Sequence, residues 1–205
     1  MFRLARGAFN LPEPKLEKPV RADARRSVNA LLDAALEVFA TSGVDAPVRD
    51  IAEKAGVGVG TLYRHFPQRS DLIVAVFRKE VDACAAAASA FATQYEPAEA
   101  LDRWLERFIA FVAAKRGLSA ALHSGDSAYE ALPAYLMEHL APAASGLLKA
   151  AEAAGKVRPD VQPADLLMGI AHLCSPDGKG GITEDSRRMV NLLIDGLRYR
   201  GPSQP

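Results

Sequence analysis

Apolar residues recur three and four positions apart along most of this chain, the spacing that places them on one face of an α-helix. The first stripe runs from Val28 to Phe39, predicts a helix that begins near Ala24, and ends at Gly43. The strict alternation of a half-buried strand is found nowhere. The pattern therefore predicts an all-α protein of about nine helices.

Three later stretches of the pattern bear on the architecture. A long helix is predicted to begin near Ser70 or Asp71 and to continue through the alanine-rich segment 84–92. Further along, Pro142 either kinks one helix or separates two, and both alternatives stay open. The last helix is predicted over residues 184–200.

Between these elements lies a compact pattern of two short helices around a glycine. Gly56 stands where a residue with positive φ closes a helix, and Leu62 and Phe66 face inward four residues apart. Two small helices that share a core in this way form a helix-turn-helix. The second helix of such a motif fits the major groove of B-DNA. Its open side carries Gly60, Thr61, Arg64 and His65.

The run RDIAEKAGVGVGTLYRHFPQRSDL, residues 49–72, resembles the DNA-binding signature of the tetracycline-repressor (TetR) family of bacterial transcriptional regulators. The resemblance extends from about Arg26 to about Val81. It implies a three-helix DNA-binding domain followed by a larger helical domain for ligand binding and dimerisation. It also implies a repressor that a small-molecule effector releases from its operator.

Two departures from the family pattern concern helix caps. Gly58 stands where family members often have Ser, and a glycine caps a helix with less side-chain help. Gln68 and Arg69 stand where many members have Ser or Thr and then Lys. We therefore expect a weaker cap at the start of the following helix.

We divide the chain accordingly into three parts: a flexible N-terminal arm (1–20), a helix-turn-helix DNA-binding domain (21–71), and a ligand-binding and dimerisation domain (72–205). Within the second part we expect Val59, Gly60 and Thr61 near base edges, and Arg64 on a base or a phosphate. Tyr63, His65 and Arg69 match family positions that usually touch phosphates, and Arg49 is expected to hold a phosphate at the start of its helix. Arg25 and Arg26 are candidates for contacts with phosphates or with the minor groove. For Tyr63 the alternative is a packing role, and for His65 it is a helix surface without contact.

The resemblance implies an effector cavity in the third part of the chain. Large apolar and aromatic residues there could line it, although ordinary core packing is the alternative for each. An apolar or aromatic small molecule fits this composition. The candidates are Trp104, Phe108, Phe111, Leu122, His123, Tyr129, Tyr135, Met137 and Met168.

The last helix carries two adjacent apolar faces, whereas a helix on a monomer surface normally carries one. One face is Val190, Leu193, Ile194 and Leu197, and the other is Met189, Leu192, Gly196 and Tyr199. Two faces suggest packing against the chain's own core on one side and a second copy on the other. The alternative is a helix fully buried in one subunit. The predicted dimer interface is Leu173, Met189, Leu192, Leu193, Gly196 and Leu197.

Composition adds limits on partners and location. The formal net charge is zero, which excludes a globally cationic nucleic-acid binder but not a local patch. Residues 1–28 hold seven Lys or Arg against three acidic residues, so the N-terminal end is basic. No apolar run is long enough for a membrane span or a signal peptide, so we expect a cytoplasmic protein without membrane contact. Cys84 and Cys174 are expected to be buried and reduced.

Enzyme hypotheses find little support. The chain has no GxSxG, HExxH or GxxxxGK[ST] motif, and its His and Cys residues lack metal-ligand spacing. We expect no catalytic residues, no metal and no cofactor. The expected partners are double-stranded DNA with a palindromic operator, an unknown small-molecule effector, and a second copy of the chain. The alternative function is a ligand-binding or protein-interaction module that no longer uses its helix-turn-helix.

Overall fold

The computed structural model describes residues 18–122, 124–174 and 181–199. Within these ranges the chain is all-α, as predicted, with nine α-helices, two short 3-10 turns (Lys115–Leu118 and Ser127–Tyr129) and no β-strand. No helix of the described part is long and apolar enough to cross a membrane. The helices are α1 (Lys18–Ser42), α2 (Val48–Lys54), α3 (Val59–His65), α4 (Arg69–Gln94), α5 (Pro97–Ala114), α6 (Ser119–Leu122), α7 (Leu132–Ala153), α8 (Pro163–Leu173) and α9 (Glu184–Arg198).

The first three helices pack into a small unit, which we call the head (residues 18–68). α1 contacts α2 and α4, and α2 contacts α3. The head has its own apolar core, in which Leu31, Ile51 and Leu62 are almost completely buried. This core fixes the angle between the two short helices, because each contributes at least one fully buried side chain.

The turn between α2 and α3 is closed by Gly56, as predicted. Its φ is +68°, a backbone conformation that residues other than glycine rarely adopt. The Gly56 N–H donates to the Glu53 carbonyl at 3.0 Å, and the Val57 N–H donates to the Ala52 carbonyl at 3.0 Å. This pair of bonds is the Schellman motif, and it satisfies carbonyls that the end of α2 would otherwise leave unpaired.

The start of α1 differs from the prediction. The helix begins at Lys18 rather than near Ala24. Pro19 falls in the first turn, where its missing N–H removes no helical hydrogen bond, so the proline does not stop the helix. Residues 1–17 of the predicted arm lie outside the described residues.

The cap of α4 also differs from the prediction, because Gln68 supplies the side-chain cap that was expected to be weak. The Gln68 side chain accepts from the Asp71 N–H, while the Gln68 N–H donates to the Asp71 carboxylate at 2.9 Å. This reciprocal capping box satisfies donors at the N-terminus of the helix. α4 therefore begins firmly at Arg69, and the expectation of a weaker cap was wrong.

α4 belongs to both halves of the molecule. It packs against α1 of the head and against α5 and α7 of the following bundle, which we call the body (residues 97–199). At its middle, the Trp104 indole N–H of α5 donates to the Cys84 carbonyl at 2.9 Å. Cys84 and Cys174 are buried and form no disulfide. Burial raises the pKa of the Cys84 thiol to about 11, so this thiol stays protonated.

The rest of the body is built from long and short helices. α7 is one continuous helix from Leu132 to Ala153 and contains Pro142, so the alternative of two separate helices does not apply. α9 is tied to α5 because the Arg198 guanidinium donates to the Asp102 carboxylate at 2.5 Å. The Arg158 N–H donates to the Leu197 carbonyl at 2.8 Å and fixes the end of α9.

Candidate nucleic-acid interface and cavity

α3 turns one face into the head and leaves the other open. Leu62 and Phe66 are buried, with 1% and 8% of their surface exposed. Gly60 and Arg64 are exposed, and Tyr63 keeps 49% of its surface in solvent. The other predicted contact residues on α3, namely Val59, Thr61 and His65, are half-buried. The open face is therefore narrow, partly aromatic and cationic, and it carries no acidic side chain.

Three of the predicted cations are exposed and have no ion-pair partner within the described part of the chain: Arg25, Arg49 and Arg64. Neighbouring cations are engaged, since Arg26 pairs with Asp23 and Lys54 pairs with Glu37. Arg49 lies in the first turn of α2, where the helix dipole also favours an anion. These unpaired guanidinium groups form the part of the head best suited to phosphates.

Arg69 has a structural role that the sequence did not indicate. Its guanidinium donates to the carbonyl oxygens of Val44 and Ala46, the latter at 2.6 Å. The first residue of α4 thereby holds the loop between α1 and α2. The phosphate contact predicted for Arg69 stays a prediction. It would use guanidinium N–H groups that are not bonded to these two carbonyls.

The body contains a cavity of about 460 Å³ between the N-terminal half of α4, which contributes Phe77, and helices α5, α7 and α8. Most of its wall is aliphatic or aromatic. Pro133, Met168 and His172 are exposed as well as lining the cavity, so the cavity reaches solvent on that side. The lining residues are Phe77, Phe108, Val112, Lys115, Leu122, Tyr129, Leu132, Pro133, Leu136, Met137, Leu167, Met168, Ala171 and His172.

The structure places some of the predicted pocket residues in this wall, namely Phe108, Leu122, Tyr129, Met137 and Met168. His123 lies outside the described residues.

Three predicted pocket residues do not line this cavity. Trp104 is fully buried against α4 and stacks on Phe108 at a ring distance of 5.9 Å. Phe111 packs edge-on against Phe77, with 6.0 Å between ring centroids, and stacks on Phe108 at 6.1 Å. Both belong to the core, and the residues of α5 that line the cavity are Phe108 and Val112.

Tyr135 is the third, and it points away from the cavity toward α4. Its hydroxyl donates to the Asp82 carboxylate at 2.7 Å, and the Arg78 guanidinium lies 4.9 Å above its ring. His139 stacks on the other face at 4.0 Å. The hydrogen bond to Asp82 raises the pKa of the Tyr135 hydroxyl. Tyr135 thus links α7 to α4 instead of lining the cavity.

Sequence reasoning missed the two basic residues of the wall, Lys115 and His172. Lys115 follows the apolar stripe of α5, and no local pattern distinguishes it from a solvated lysine. His172 lies in the last turn of α8, and no local pattern distinguishes it from a surface histidine. Within the described ranges, no three His, Cys, Asp or Glu side chains are grouped as a metal site requires.

The large apolar side chains that remain exposed in the described part of the chain fall on two surfaces. One is α3, with Tyr63, and the other is the outer face of α8 and α9. On the latter, Met168 keeps 45% of its surface exposed, Met189 48%, Leu192 65% and Tyr199 64%. Of the predicted interface residues, Leu173 and Leu193 are half-buried, Gly196 is exposed, and Leu197 is only 5% exposed because it packs into its own core.

Both halves of this architecture match known protein families. Residues 31–76 match the model of bacterial regulatory proteins of the tetR family. Residues 96–199 match the model of the C-terminal domain of SbtR-like transcriptional regulators. The chain belongs to the TetR family of transcriptional regulators.

Relatives of this TetR-family regulator agree in sequence and in fold. The TetR transcriptional regulator SCO0520 from Streptomyces coelicolor is 37% identical, with 83% of this chain and 98% of that one covered and a TM-score of 0.67. A TetR regulatory protein from Mycobacterium vanbaalenii is 34% identical over 88% of this chain and 100% of its own, with a TM-score of 0.69.

A curated relative matches a shorter stretch of this chain. An HTH-type transcriptional regulator of Staphylococcus aureus (strain USA300) is 36% identical over 64 residues, which is 31% of this chain. The match spans about a third, 35%, of that regulator's length.

Two arginines of this TetR-family regulator, five residues apart, should differ in their effect on stability. Arg69→Met removes donors from two carbonyls, so the free energy of unfolding should fall by about 1–3 kcal/mol. Arg64→Ala should leave it within about 0.5 kcal/mol, because Arg64 is exposed and has no described partner. Urea unfolding followed by circular dichroism measures both.

On a DNA duplex that the protein recognises, Arg64→Ala should lower affinity by about 1–3 kcal/mol and relax specificity at one base pair. A uniform loss over all sequences would mean that Arg64 contacts a phosphate. Equal stability of the two variants would contradict the structural role assigned to Arg69.

Proposed function

We propose that this chain is a homodimeric, sequence-specific DNA-binding repressor that a small molecule in the body cavity releases from its operator. The observation that carries the proposal is the open face of α3. This face carries Gly60, Thr61 and Arg64, on a helix whose other face is buried in the head core. The preceding helix begins with Arg49, an exposed cation that has no ion-pair partner among the described residues. A module that no longer used its helix-turn-helix would have no need of this set of groups.

The N-terminal half of α3 suits base contacts in a physical sense as well. A Cβ placed on Gly60 would meet no atom within 4 Å, so packing within the head does not require glycine there. Thr61 follows one residue later, and its hydroxyl can donate or accept. We propose that Val59, Gly60 and Thr61 approach base edges, and that Arg25, Arg26, Arg49, Tyr63 and His65 contact the backbone.

The outer face of α8 and α9 supports the dimer. Large apolar side chains exposed together on a pair of helices often mark an interface, and two-fold symmetry lets one such surface pair with its copy. The proposed interface centres on Met189, Leu192 and Gly196, flanked by Leu173 and Leu193. Leu197 is left out because its own core already covers it. Two-fold related heads would bind an inverted repeat with half-sites about 34–36 Å apart.

The cavity supports an effector because α4 takes part in both its wall and the head. Phe77 of α4 lines the cavity, and α7, which supplies Leu132, Leu136 and Met137, is tied to α4 through Tyr135 and Asp82. A ligand that fits one position of α4 better than another shifts the population of head positions by that difference in affinity. The spacing of the two heads, and with it operator affinity, would then change.

Selection from a pool of random duplexes tests the DNA-binding proposal, since this experiment does not require the operator sequence. The expected result is one enriched motif with two inverted half-sites centred about one helical turn apart. The symmetry follows from the dimer, and the enrichment follows from base contacts by α3. A pool that stays random after repeated rounds would contradict the proposal, and a single unrepeated half-site would contradict the dimer.

Leu192→Glu tests the dimer interface. Leu192 keeps 65% of its surface exposed in one subunit, so the change should spare the fold while it places two charges against each other across the two-fold axis. Sedimentation should show a monomer at concentrations where the unaltered protein is a dimer, and affinity for the selected duplex should fall by at least about tenfold.

The matched control is Asn191→Glu, which adds the same charge at the neighbouring exposed position of α9. It should stay dimeric. A Leu192→Glu protein that remains a dimer would place the interface on another surface.

A further inference from the structure

We propose that Phe77 is the residue through which an occupant of the body cavity acts on the head, because it borders both the cavity and a small void beside α1. The inference rests on the proposed function, in which the cavity holds the effector, and it names the positioning residue for the response. Three features of the molecule carry it: the place of Phe77 between two spaces, the packing that confines its ring, and the head residue across the void.

Phe77 lies on α4 at the border of two spaces in the body. Only 3% of its surface is exposed, and it lines both the cavity of about 460 Å³ and a void of about 10 Å³. Lys115 lines both spaces as well, but a lysine side chain is a flexible stem that can yield without passing a displacement on. A phenylalanine ring is rigid beyond its two side-chain torsions, so it moves as a unit.

The ring of Phe77 is confined on the side of α5. Phe111 packs edge-on against it with 6.0 Å between ring centroids, and Phe111 stacks in turn on Phe108 at 6.1 Å. Trp104 continues this cluster and is fixed by its hydrogen bond to the Cys84 carbonyl. Because close-packed interiors compress little, a ring pressed by a ligand moves toward open space and not into this cluster. The void is open space that Phe77 borders.

The void lies against the head. Its wall includes Leu36 of α1 and Leu118, which is buried in the turn Lys115–Leu118 that packs against α1. At about 10 Å³ the void is at the lower limit of the space that one water molecule needs, so a ring displaced into it soon meets the opposite wall. Leu36 belongs to the head, and the displacement therefore reaches α1.

This route predicts opposite responses in the two halves of the molecule. A ligand stabilises the body that binds it, whereas pressure on Leu36 loosens the packing of α1. Amide hydrogen exchange separates the two effects, since its rates report the local free energy of opening. A ligand that only stabilised the folded state would slow exchange in both halves.

The probe for the experiment is N-phenyl-1-naphthylamine, an uncharged aromatic dye whose fluorescence reports its binding. The full-length protein is exchanged in deuterium oxide with and without saturating dye, and its peptides are resolved by mass spectrometry. In the unaltered protein, the dye should speed exchange over residues 31–42 of α1 by at least about threefold and should slow it over residues 104–114 of α5.

A matched pair of variants locates the response. Phe77→Leu and Phe108→Leu each replace a buried phenylalanine of the cavity wall, but of the two residues Phe77 alone also lines the void. At saturating dye, Phe108→Leu should keep the faster exchange of α1, and Phe77→Leu should bring it to within about 1.5-fold of the dye-free rate. Leu36→Ala should have the same effect as Phe77→Leu, and it leaves the cavity wall unaltered. Phe77→Met and Phe108→Met replace the pair if either leucine variant does not fold.

The inference is overturned if the unaltered protein does not bind the dye, or if the dye leaves exchange of α1 unchanged or slows it. It is also overturned if Phe77→Leu or Leu36→Ala keeps the faster exchange, or if Phe108→Leu loses it. The comparison on the unaltered protein does not depend on whether any variant folds.

The proposed function fails separately, because no DNA is present in this experiment. Failure to select an operator would leave the exchange result standing. An effector that releases DNA from Phe77→Leu as fully as from the unaltered protein would leave the repressor proposal standing and would remove only the role of Phe77.

Discussion

The anchoring of α4 at its first residues is the interaction on which the rest of the structure depends. Arg69 donates to the carbonyls of Val44 and Ala46, and Gln68 and Asp71 cap the same turn reciprocally. These bonds join the beginning of a 26-residue helix to the loop that positions α2. They add to the packing of α4 against α1, α5 and α7. The head is therefore connected to the body by a packed helix.

That arrangement gives the molecule a rigid side and an adaptable side. On the rigid side, Trp104, Phe108, Phe111 and Phe77 form a continuous aromatic cluster, and the Trp104 N–H holds the Cys84 carbonyl of α4. Phe77 and Phe108 also face the cavity, so the same rings form core and wall. A ligand in the cavity would contact the aromatic packing that holds α4, and the methionine side chains of the wall could adjust to it.

Periodicity and glycine chemistry predicted the local structure because both are properties of short stretches of chain. The helix-turn-helix, the positive φ of Gly56 and the two faces of α9 are of this kind. The cap of α4 was misjudged because Gln68 forms with Asp71 the pairing expected of Ser or Thr. Tyr135 and Arg69 could not be predicted, since their partners Asp82, Val44 and Ala46 lie 23 to 53 residues away along the chain. Lys115 was not predicted as a cavity residue for the same reason, because the cavity that it lines is assembled from helices distant in sequence.

The central claim is that α3 recognises a DNA sequence and does not merely attract phosphates. The most direct measurement is fluorescence anisotropy of the full-length protein against tiled duplexes from the DNA that flanks its own gene, repeated at several salt concentrations. The account predicts saturable binding to one tile, tighter than to neighbouring tiles by a factor of about a thousand or more, that persists when added salt has abolished binding to the others. Equal binding to every tile, lost together as salt rises, would contradict regulation of these flanking sequences and would leave the head with phosphate attraction alone.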